Sequence, residues 1–209
     1  MYVHRVGKFP QTKVQMYGVD EGLPSGMIHG LAVDADGNVW AATEGGLAVF
    51  DGRAWRAPEG ADALPGGRAR QVFAGRSGEV WATVAGALFR FSSGSWVRDL
   101  AEDVIAMDED DAGRVWAVSA ERLHALEPDG RWYVITKNEH FTVRDIAAFG
   151  NRGVVLATDR GLQRLYGKER PGYKGQVRGP SRDGWKDLIA ERTGSISDDV
   201  RSVFADEFG

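Results

Sequence analysis

Short apolar segments, three of them with a tryptophan, recur along the chain at a nearly constant spacing. One segment, Val39-Trp40-Ala41-Ala42-Thr43, is followed by copies around Trp81, Trp116 and Leu156, at intervals of 41, 35 and 40 residues. Each is followed by a second segment, such as Arg122-Leu123-His124-Ala125-Leu126, that we interpret as period-two alternation, which is typical of β-strands over four to eight residues. The pattern predicts a chain of short strands and gives no convincing helix.

A second column of tryptophans follows the first. Trp55, Trp96 and Trp132 come 15, 15 and 16 residues after their partners, and Trp185 fills the same place after an insertion at 166–184. All 7 tryptophans fall in the two columns. Gly-containing dipeptides such as Asp36-Gly37 separate the segments, which indicates tight hairpin turns because glycine accepts a positive φ.

Each repeat holds four predicted strands, in the first copy at about 27–34, 38–43, 46–50 and 54–57. A repeat of roughly 40 residues with four strands and an aromatic signature is typical of a propeller blade. We therefore predict an all-β protein, a single partial β-propeller domain over 1–209. Its predicted parts are a leading outer strand at 14–17, blades at about 23–58, 64–99, 100–136 and 140–188, and a partial blade at 195–209.

The first strand of each repeat is apolar on both faces, as in Leu31-Ala32-Val33 and Val72-Phe73-Ala74. Strands of this kind are covered on both sides, which a blade between two neighbours provides. Tryptophan rings would fill the gaps between blades, because their large area gives most stabilisation there. An arc of blades that does not close would expose apolar faces and be poorly soluble in isolation.

Composition excludes several classes of function. The 209 residues carry a net charge of −4, which gives no broad attraction to nucleic acid or to an anionic membrane. The chain has no cysteine, so disulfides, zinc–thiolate sites and cysteine nucleophiles are excluded. No apolar run approaches the roughly 20 residues that span a bilayer, and we see no secretory signal peptide at the start.

One motif string is specific enough to indicate a family. It runs Gly22-Leu23-Pro24-Ser25, then Leu31-Ala32-Val33-Asp34, Gly37-Asn38-Val39-Trp40-Ala41-Ala42-Thr43, Gly45-Gly46-Leu47 and Phe50-Asp51-Gly52. This string resembles the two-component regulator propeller repeat. The resemblance extends from about 14 to 209, and later copies drift, with Gly75 in the place of the aspartate.

The resemblance implies a bacterial sensor, periplasmic or extracellular, whose parent carries a histidine kinase or a diguanylate cyclase. The predicted strands left over at 14–17 and 195–209 favour a fragment of a larger ring over a compact four-bladed closure, and the resemblance implies seven blades. The expected partners therefore include the remaining blades of the parent chain. A small molecule or a saccharide is the expected ligand. We expect no cofactor, no metal, no nucleic acid and no direct membrane contact from this segment.

The start of the first strand supplies the candidate ligand-binding residues. Counting back eleven positions from the first tryptophan column, with two more in the third copy, gives a polar residue in every repeat. These residues are His29, Arg70, Asp103, Asp145 and, in the partial fifth copy, Arg201. Ser25 and Arg68 lie in the loops that feed these strands. We expect all seven at the mouth of the central channel, where they bind a polar ligand or form a solvated rim.

The basic insertion, the acidic run and the enzyme alternatives are also considered as candidate sites. The basic insertion at 166–184 is interpreted as a solvated hairpin tip or a contact for an anionic partner. The acidic run 108–113 lacks the ligand spacing of a calcium loop and indicates a turn. Enzyme motifs are absent, so we expect no catalytic residue. A lyase or hydrolase would have to use His29 with Asp145; a protein-interaction scaffold is the other alternative.

Overall fold

The computed structural model describes residues 15–127, 130–137, 142–149, 153–166, 185–186 and 200–204. These residues form four antiparallel sheets of four strands each, arranged as blades of a propeller. Within each sheet the strands lie in chain order, so each blade is a simple up-and-down meander. Two single 3-10 turns, Val19–Glu21 and Ala61–Ala63, are the helical elements of the described part. The predicted fold class is confirmed.

The strands of the four blades have the following bounds. Blade one comprises β1 (Ile28–Val33), β2 (Val39–Thr43), β3 (Gly46–Phe50) and β4 (Trp55–Arg56). Blade two comprises β5 (Ala69–Ala74), β6 (Val80–Val84), β7 (Ala87–Ser92) and β8 (Ser95–Leu100). Blade three comprises β9 (Val104–Glu109), β10 (Val115–Ser119), β11 (Arg122–Leu126) and β12 (Trp132–Lys137). Blade four comprises β13 (Val143–Phe149), β14 (Gly153–Thr158), β15 (Gly161–Tyr166) and β16 (Trp185–Lys186).

The tryptophan columns occupy the predicted places. Trp40, Trp81 and Trp116 lie on the second strands of their blades and are almost fully buried. Each packs against the blade that follows, as the edge-to-face contact between Trp40 and Trp96, 6.1 Å between ring centroids, shows. Trp96 belongs to the second column, which lies on the outermost strands. Large rings in the gaps between blades bury the most apolar area, as predicted.

The aspartate of the repeat motif has two structural tasks in blade one. Asp34 Oδ1 accepts the backbone N–H groups of Asp36 and Asn38 at 3.0 and 2.9 Å, which closes the turn between β1 and β2. Asp34 Oδ2 accepts the indole N–H of Trp40 at 2.8 Å, so one carboxylate fixes both the turn and the ring. Burial works to raise the pKa of Asp34, but the hydrogen bonds from Trp40 and Asn38 outweigh it and lower the pKa.

Blade two has a glycine in this place and solves the same problem differently. A Cβ at Gly75 would lie 2.7 Å from Cζ3 of Trp81, so the ring occupies the space that an aspartate would need. The indole N–H of Trp81 instead donates to Asp99 at 3.2 Å. A backbone hydrogen bond between Gly75 and Glu79 closes the turn. Glu109 Oε2 of the neighbouring blade accepts the N–H of Arg76 at 2.7 Å. The drift from aspartate to glycine thus accompanies a changed indole partner.

Two glycines of the motif string, Gly22 and Gly45, allow close approaches within blade one. A Cβ at Gly45 would lie 2.5 Å from the carbonyl oxygen of Pro24. Gly22 has a φ of +101°, and a Cβ there would lie 2.6 Å from the carbonyl oxygen of Trp55. Neither contact tolerates a side chain, since backbone atoms stand on the other side. These approaches pin the loop before β1 onto its own blade.

The fourth copy is aligned one residue differently from our expectation. Thr158 pairs with Gly161 as Thr43 pairs with Gly46, so Val155, rather than Leu156, stands in the place of Trp40. Leu156 packs back against blade three. Because side chains alternate across a strand, a slip of one residue reverses the face. The alignment had matched Ala157-Thr158 to Ala82-Thr83 of blade two. The structure matches this pair to Ala42-Thr43 of blade one, which lies one position further from its tryptophan.

The first strand of blade one is not covered on both sides, contrary to our expectation. Leu31 and Val33 are each 63% exposed, whereas Val72 and Ile146 in blades two and four are buried against the preceding blade. Within the described residues no blade precedes β1. The apolar residues on this face of β1 are therefore typical of a strand packed against another blade, which the described residues do not include.

The two ends of the chain are described in part. Residues 15–18 form no strand, in contrast to the leading strand predicted at 14–17, because no blade stands ahead of β1 in the described part to pair with it. The Tyr17 ring instead packs on Phe50 and Trp55. The insertion between β15 and β16 lies outside the described residues, as does most of the partial blade predicted at 195–209.

Candidate functional site at the channel mouth

Every blade carries a β-bulge near the start of its first strand. In blade one the register jumps from Ile28 to Gly30, which leaves His29 as the extra residue. The same jump leaves Arg70 extra in blade two, Ile105 in blade three and Arg144 in blade four. Bulges bend a strand and redirect a side chain, and they are enriched at barrel rims and next to functional sites. All four lie beside the end of a second strand, so they share one face of the propeller.

This register corrects the predicted column of polar residues. His29 and Arg70 hold the equivalent bulge position, as expected. Asp103 instead lies two residues before the bulge in blade three, and Asp145 one residue after it in blade four. Two shifts caused the error: the one-residue slip in blade four, and the longer turn assumed in blade three. The expectation that all five residues stand at one height is therefore wrong for Asp103 and Asp145.

His29 belongs to a three-residue charge cluster that joins blades one and two. Its Nε2 lies 2.7 Å from Oε2 of Glu44, which follows β2 directly. The same carboxylate oxygen lies 3.5 Å from Nε of Arg68, in the loop before β5. His29 is largely covered, with 18% of its side chain exposed, whereas about half of each partner is exposed. Glu44 and Arg68 are therefore accessible to a ligand, while the imidazole of His29 is largely covered.

Arg70 and Asp103 form the equivalent contact between blades two and three. The guanidinium Nη1 donates to Oδ2 of Asp103 at 2.9 Å, with 40% and 47% of the two side chains exposed. An ion pair with this exposure contributes only about 0–1 kcal/mol to stability. Both groups can therefore exchange partners at little cost.

The remaining predicted residues are placed as follows. Ser25 Oγ accepts the N–H of Met27 at 3.1 Å and shapes the loop before β1. Asp145 Oδ2 accepts the hydroxyl of Ser202 at 2.8 Å and the N–H of Val203 at 3.0 Å. Arg201 is exposed on the same trailing segment. The structure thus joins His29 with Arg68, and Arg70 with Asp103, while Asp145 holds the trailing segment.

Glu44 was missed by the sequence analysis, although it links two of the predicted residues. A usable signal existed, because Glu44 lies in the turn between the second and third strands, which shares a face with the loops before the first strands. Blades two and three carry Ala85 and Ala120 after their second strands, so the repeat comparison gave this glutamate no weight. Its role follows from its contacts with His29 in its own blade and with Arg68 before β5.

Glu102 was missed as well, and it anchors the loop that carries Asp103. Its carboxylate accepts hydrogen bonds from the hydroxyl of Ser119 at 2.8 Å and from Arg122, and it lies 3.0 Å from Nε2 of the buried His124. Burial works to raise the pKa of Glu102, but the hydrogen bonds from His124, Ser119 and Arg122 dominate and lower the pKa to about 2.

The folded protein should therefore lose stability as this carboxylate is protonated. Because the pKa is lowered below its usual 4.5, the stabilisation is complete above pH 4.5 and is lost as the pH falls toward 2. Glu102→Gln should lower the urea midpoint at pH 6 and flatten the loss of stability between pH 4.5 and 2. Glu121→Gln, at an exposed residue of the next turn, is the control. An unchanged acid slope in the Glu102 variant would contradict the assignment.

The acidic run 108–113 forms the turn between β9 and β10, which its own side chains stabilise. Asp110 is buried and accepts the N–H groups of Ala112 and Arg114, both at 3.0 Å. Asp108 accepts the N–H of Ala148 in blade four at 2.7 Å, and burial raises its pKa. The described part of the chain contains no group of three or more histidine and acidic side chains placed to bind a metal.

The pair required by the lyase or hydrolase hypothesis does not form in the structure. His29 contacts Glu44, and Asp145 contacts Ser202 and Val203. The described residues also include no helix with the length and apolarity to cross a bilayer.

Four stacked meander sheets around an axis, with polar bulges at one end, define a β-propeller. Within that class the chain carries a two component regulator propeller repeat, because the model of that family matches residues 22–45. The match covers the motif string on which the resemblance was based from Gly22 to Gly45, and the string itself continues to Gly52. The recognition made from the sequence is confirmed.

Solved structures show the same fold at low sequence identity. The extracellular domain of the hybrid two component system BT4673 from B. thetaiotaomicron superposes with a TM-score of 0.64 at 16% identity, over 87% of this chain and 25% of that one. The extracellular domain of BT3049 from the same organism gives 0.56 at 18% identity, over 73% and 25%. Virginiamycin B lyase from Staphylococcus aureus gives 0.54 at 14% identity, over 67% and 52%.

The chain spans about a quarter of the length of the two extracellular domains. No curated protein matches it.

Proposed function

We propose that this chain is the ligand-binding segment of a propeller sensor in a bacterial two-component or related signalling protein, located outside the cytoplasm. The observation that carries the proposal is the set of polar side chains at the channel mouth, on the face where every first strand bulges. The family repeat and the likeness to extracellular domains of two component systems support a sensor rather than an enzyme.

The geometry of the mouth suits reversible binding of a polar molecule. Its clusters join neighbouring blades, so a ligand that contacts them would touch two blades at once. The ion pairs are exposed and contribute little to stability. A small molecule or saccharide with several hydroxyl groups could replace them with its own hydrogen bonds.

The exposed face of blade one supports the second part of the proposal, that further blades of the parent chain complete the ring. Leu31 and Val33 stand in the places of Val72 and Ala74, which face blade one across the first gap. An apolar strand face of this kind fits another blade that presents an aromatic side chain, as Trp40 does to blade two. The kinase or cyclase output belongs to the parent as well.

Binding to the 209-residue protein tests the proposal directly. A panel of neutral and acidic oligosaccharides would be titrated calorimetrically. We expect at least one to bind, and Arg70→Ala to weaken that binding. Arg98→Ala, at an exposed arginine on the outermost strand β8, should leave it unchanged. A panel without a binder, or binding that both substitutions affect equally, would overturn the assignment of the site.

A further inference from the structure

The corrected register changes the charge of the predicted ring. The bulge position holds His29, Arg70 and Arg144 in blades one, two and four, and Ile105 in blade three. The two acidic residues that the sequence comparison had placed in this column belong to other positions. What had been expected as a ring of mixed charge is a column of basic residues, interrupted once.

The trailing segment continues this column. The N–H of Val200 donates to the carbonyl oxygen of Thr158 at 2.9 Å, and Val203 is held by Asp145, so the segment lies against blade four. Arg201 follows Val200 as Arg70 follows Ala69. With Arg68 in the loop before β5, the basic residues named so far number five.

The acidic groups of the two clusters and the carboxylate that contacts the trailing segment are already engaged, while Glu121 and Asp159 lie in other turns of the same face. Asp145 is occupied by the N–H and hydroxyl donors of the trailing segment. Glu44 and Asp103 are each paired with basic residues of the mouth. Glu44 and Asp103 show that the basic residues of the mouth bind carboxylates. The carboxylate of a ligand could take the place of either one.

We propose that the channel mouth recognises its ligand through a carboxylate, as in an acidic saccharide, which displaces Asp103 from Arg70 and Glu44 from His29 and Arg68. Arginine suits this exchange because its planar fork can donate two parallel hydrogen bonds to a carboxylate. The inference rests on the proposed function and specifies the class of ligand.

A pair of probes that differ only in charge tests the inference. Trigalacturonate and its fully methyl-esterified form would be titrated into the 209-residue protein at 50 mM NaCl. We expect the acid to bind at least about tenfold more tightly, since hydrogen bonds to charged groups are worth roughly twice those to neutral ones. The affinity for the acid should also fall as salt is raised to 500 mM, because the contacts are exposed.

Substitutions of opposite effect give the sharper test. Arg70→Gln should weaken trigalacturonate binding about tenfold, whereas Arg70→Lys, which keeps the charge, should weaken it less. Glu44→Gln should strengthen binding, because it removes the internal competitor for His29 and Arg68. Arg98→Gln is the control for loss of a distant positive charge.

The outcomes separate this inference from the proposed function. If a neutral oligosaccharide binds and depends on Arg70 while trigalacturonate does not bind, the carboxylate inference is overturned and the sensor site stands. If trigalacturonate binds but Glu44→Gln weakens it, Glu44 is a ligand contact and the displacement is wrong. If no saccharide binds, the proposed site itself fails.

Discussion

Replacing Asp110 by alanine is expected to be among the most destabilising single changes in this protein, at about 3–5 kcal/mol. Its side chain is fully buried and accepts hydrogen bonds from Nη1 of Arg114 at 3.0 Å and from the indole N–H of Trp116 at 3.2 Å, besides the two turn N–H groups. Arg114 is itself only 8% exposed. Loss of the carboxylate leaves a buried guanidinium with Glu127 as its remaining ion-pair partner.

Urea unfolding at neutral pH measures this effect, and the neighbouring residue provides a matched control. Asp111 lies in the same turn, but 65% of its side chain is exposed. Its ion pair with the equally exposed Arg76 is long, at 3.6 Å between Oδ1 and Nη1. Asp111→Ala should therefore change the free energy of unfolding by less than about 0.5 kcal/mol. Asp110→Asn, which can still accept from the turn, should fall between the two. Equal effects of the two alanine substitutions would refute the role given to Asp110.

Trp81→Ala is expected to cost a similar amount, about 3–5 kcal/mol. The ring is 1% exposed and fills the gap between blades two and three, among Leu88, Val104 and Met107. Removing it opens a cavity between two blades that only partial relaxation can close. Thermal and urea unfolding should both show the loss.

Trp81→Phe separates the stabilisation that comes from packing of the ring from that of its hydrogen bond. It keeps much of the apolar area but loses the donation to Asp99, and should cost less than the alanine variant. Val33→Ala, on the uncovered face of blade one, should change stability by under about 0.5 kcal/mol. A loss below about 1 kcal/mol for Trp81→Ala would show that the gap between blades two and three is not a packed core.

Much of the architecture could be predicted because its signals are local. The short apolar segments around Trp40 and Trp81 mark strands, and the glycines at 37 and 78, with φ of +83° and +90°, mark the turns that join them. The strands of blade one begin and end within about one or two residues of the prediction. Two tryptophan columns at fixed offsets then determined the strand order in each blade.

The candidate site was predicted less well, because it depends on register. His29 and Arg70 were aligned correctly, whereas Asp145 was displaced by a one-residue slip in blade four and Asp103 by the longer turn assumed in blade three. A bulge adds one residue to a strand without changing its apolar alternation enough to be noticed. Glu44 and Glu102 were missed since their partners belong to other strands, 15 to 24 positions away.

By itself, the sequence determined the repeat, the four-stranded blades, the burial of the tryptophans and the family of the first repeat. These properties follow from side-chain period and turn chemistry, which act over a few residues. Only the tertiary structure decided which residue of each first strand bulges toward the mouth, which carboxylate holds each tryptophan and arginine, and which blade face stays uncovered. Those properties depend on the register within each blade and on contacts between blades, and a shift of one residue reverses the side that a chain presents.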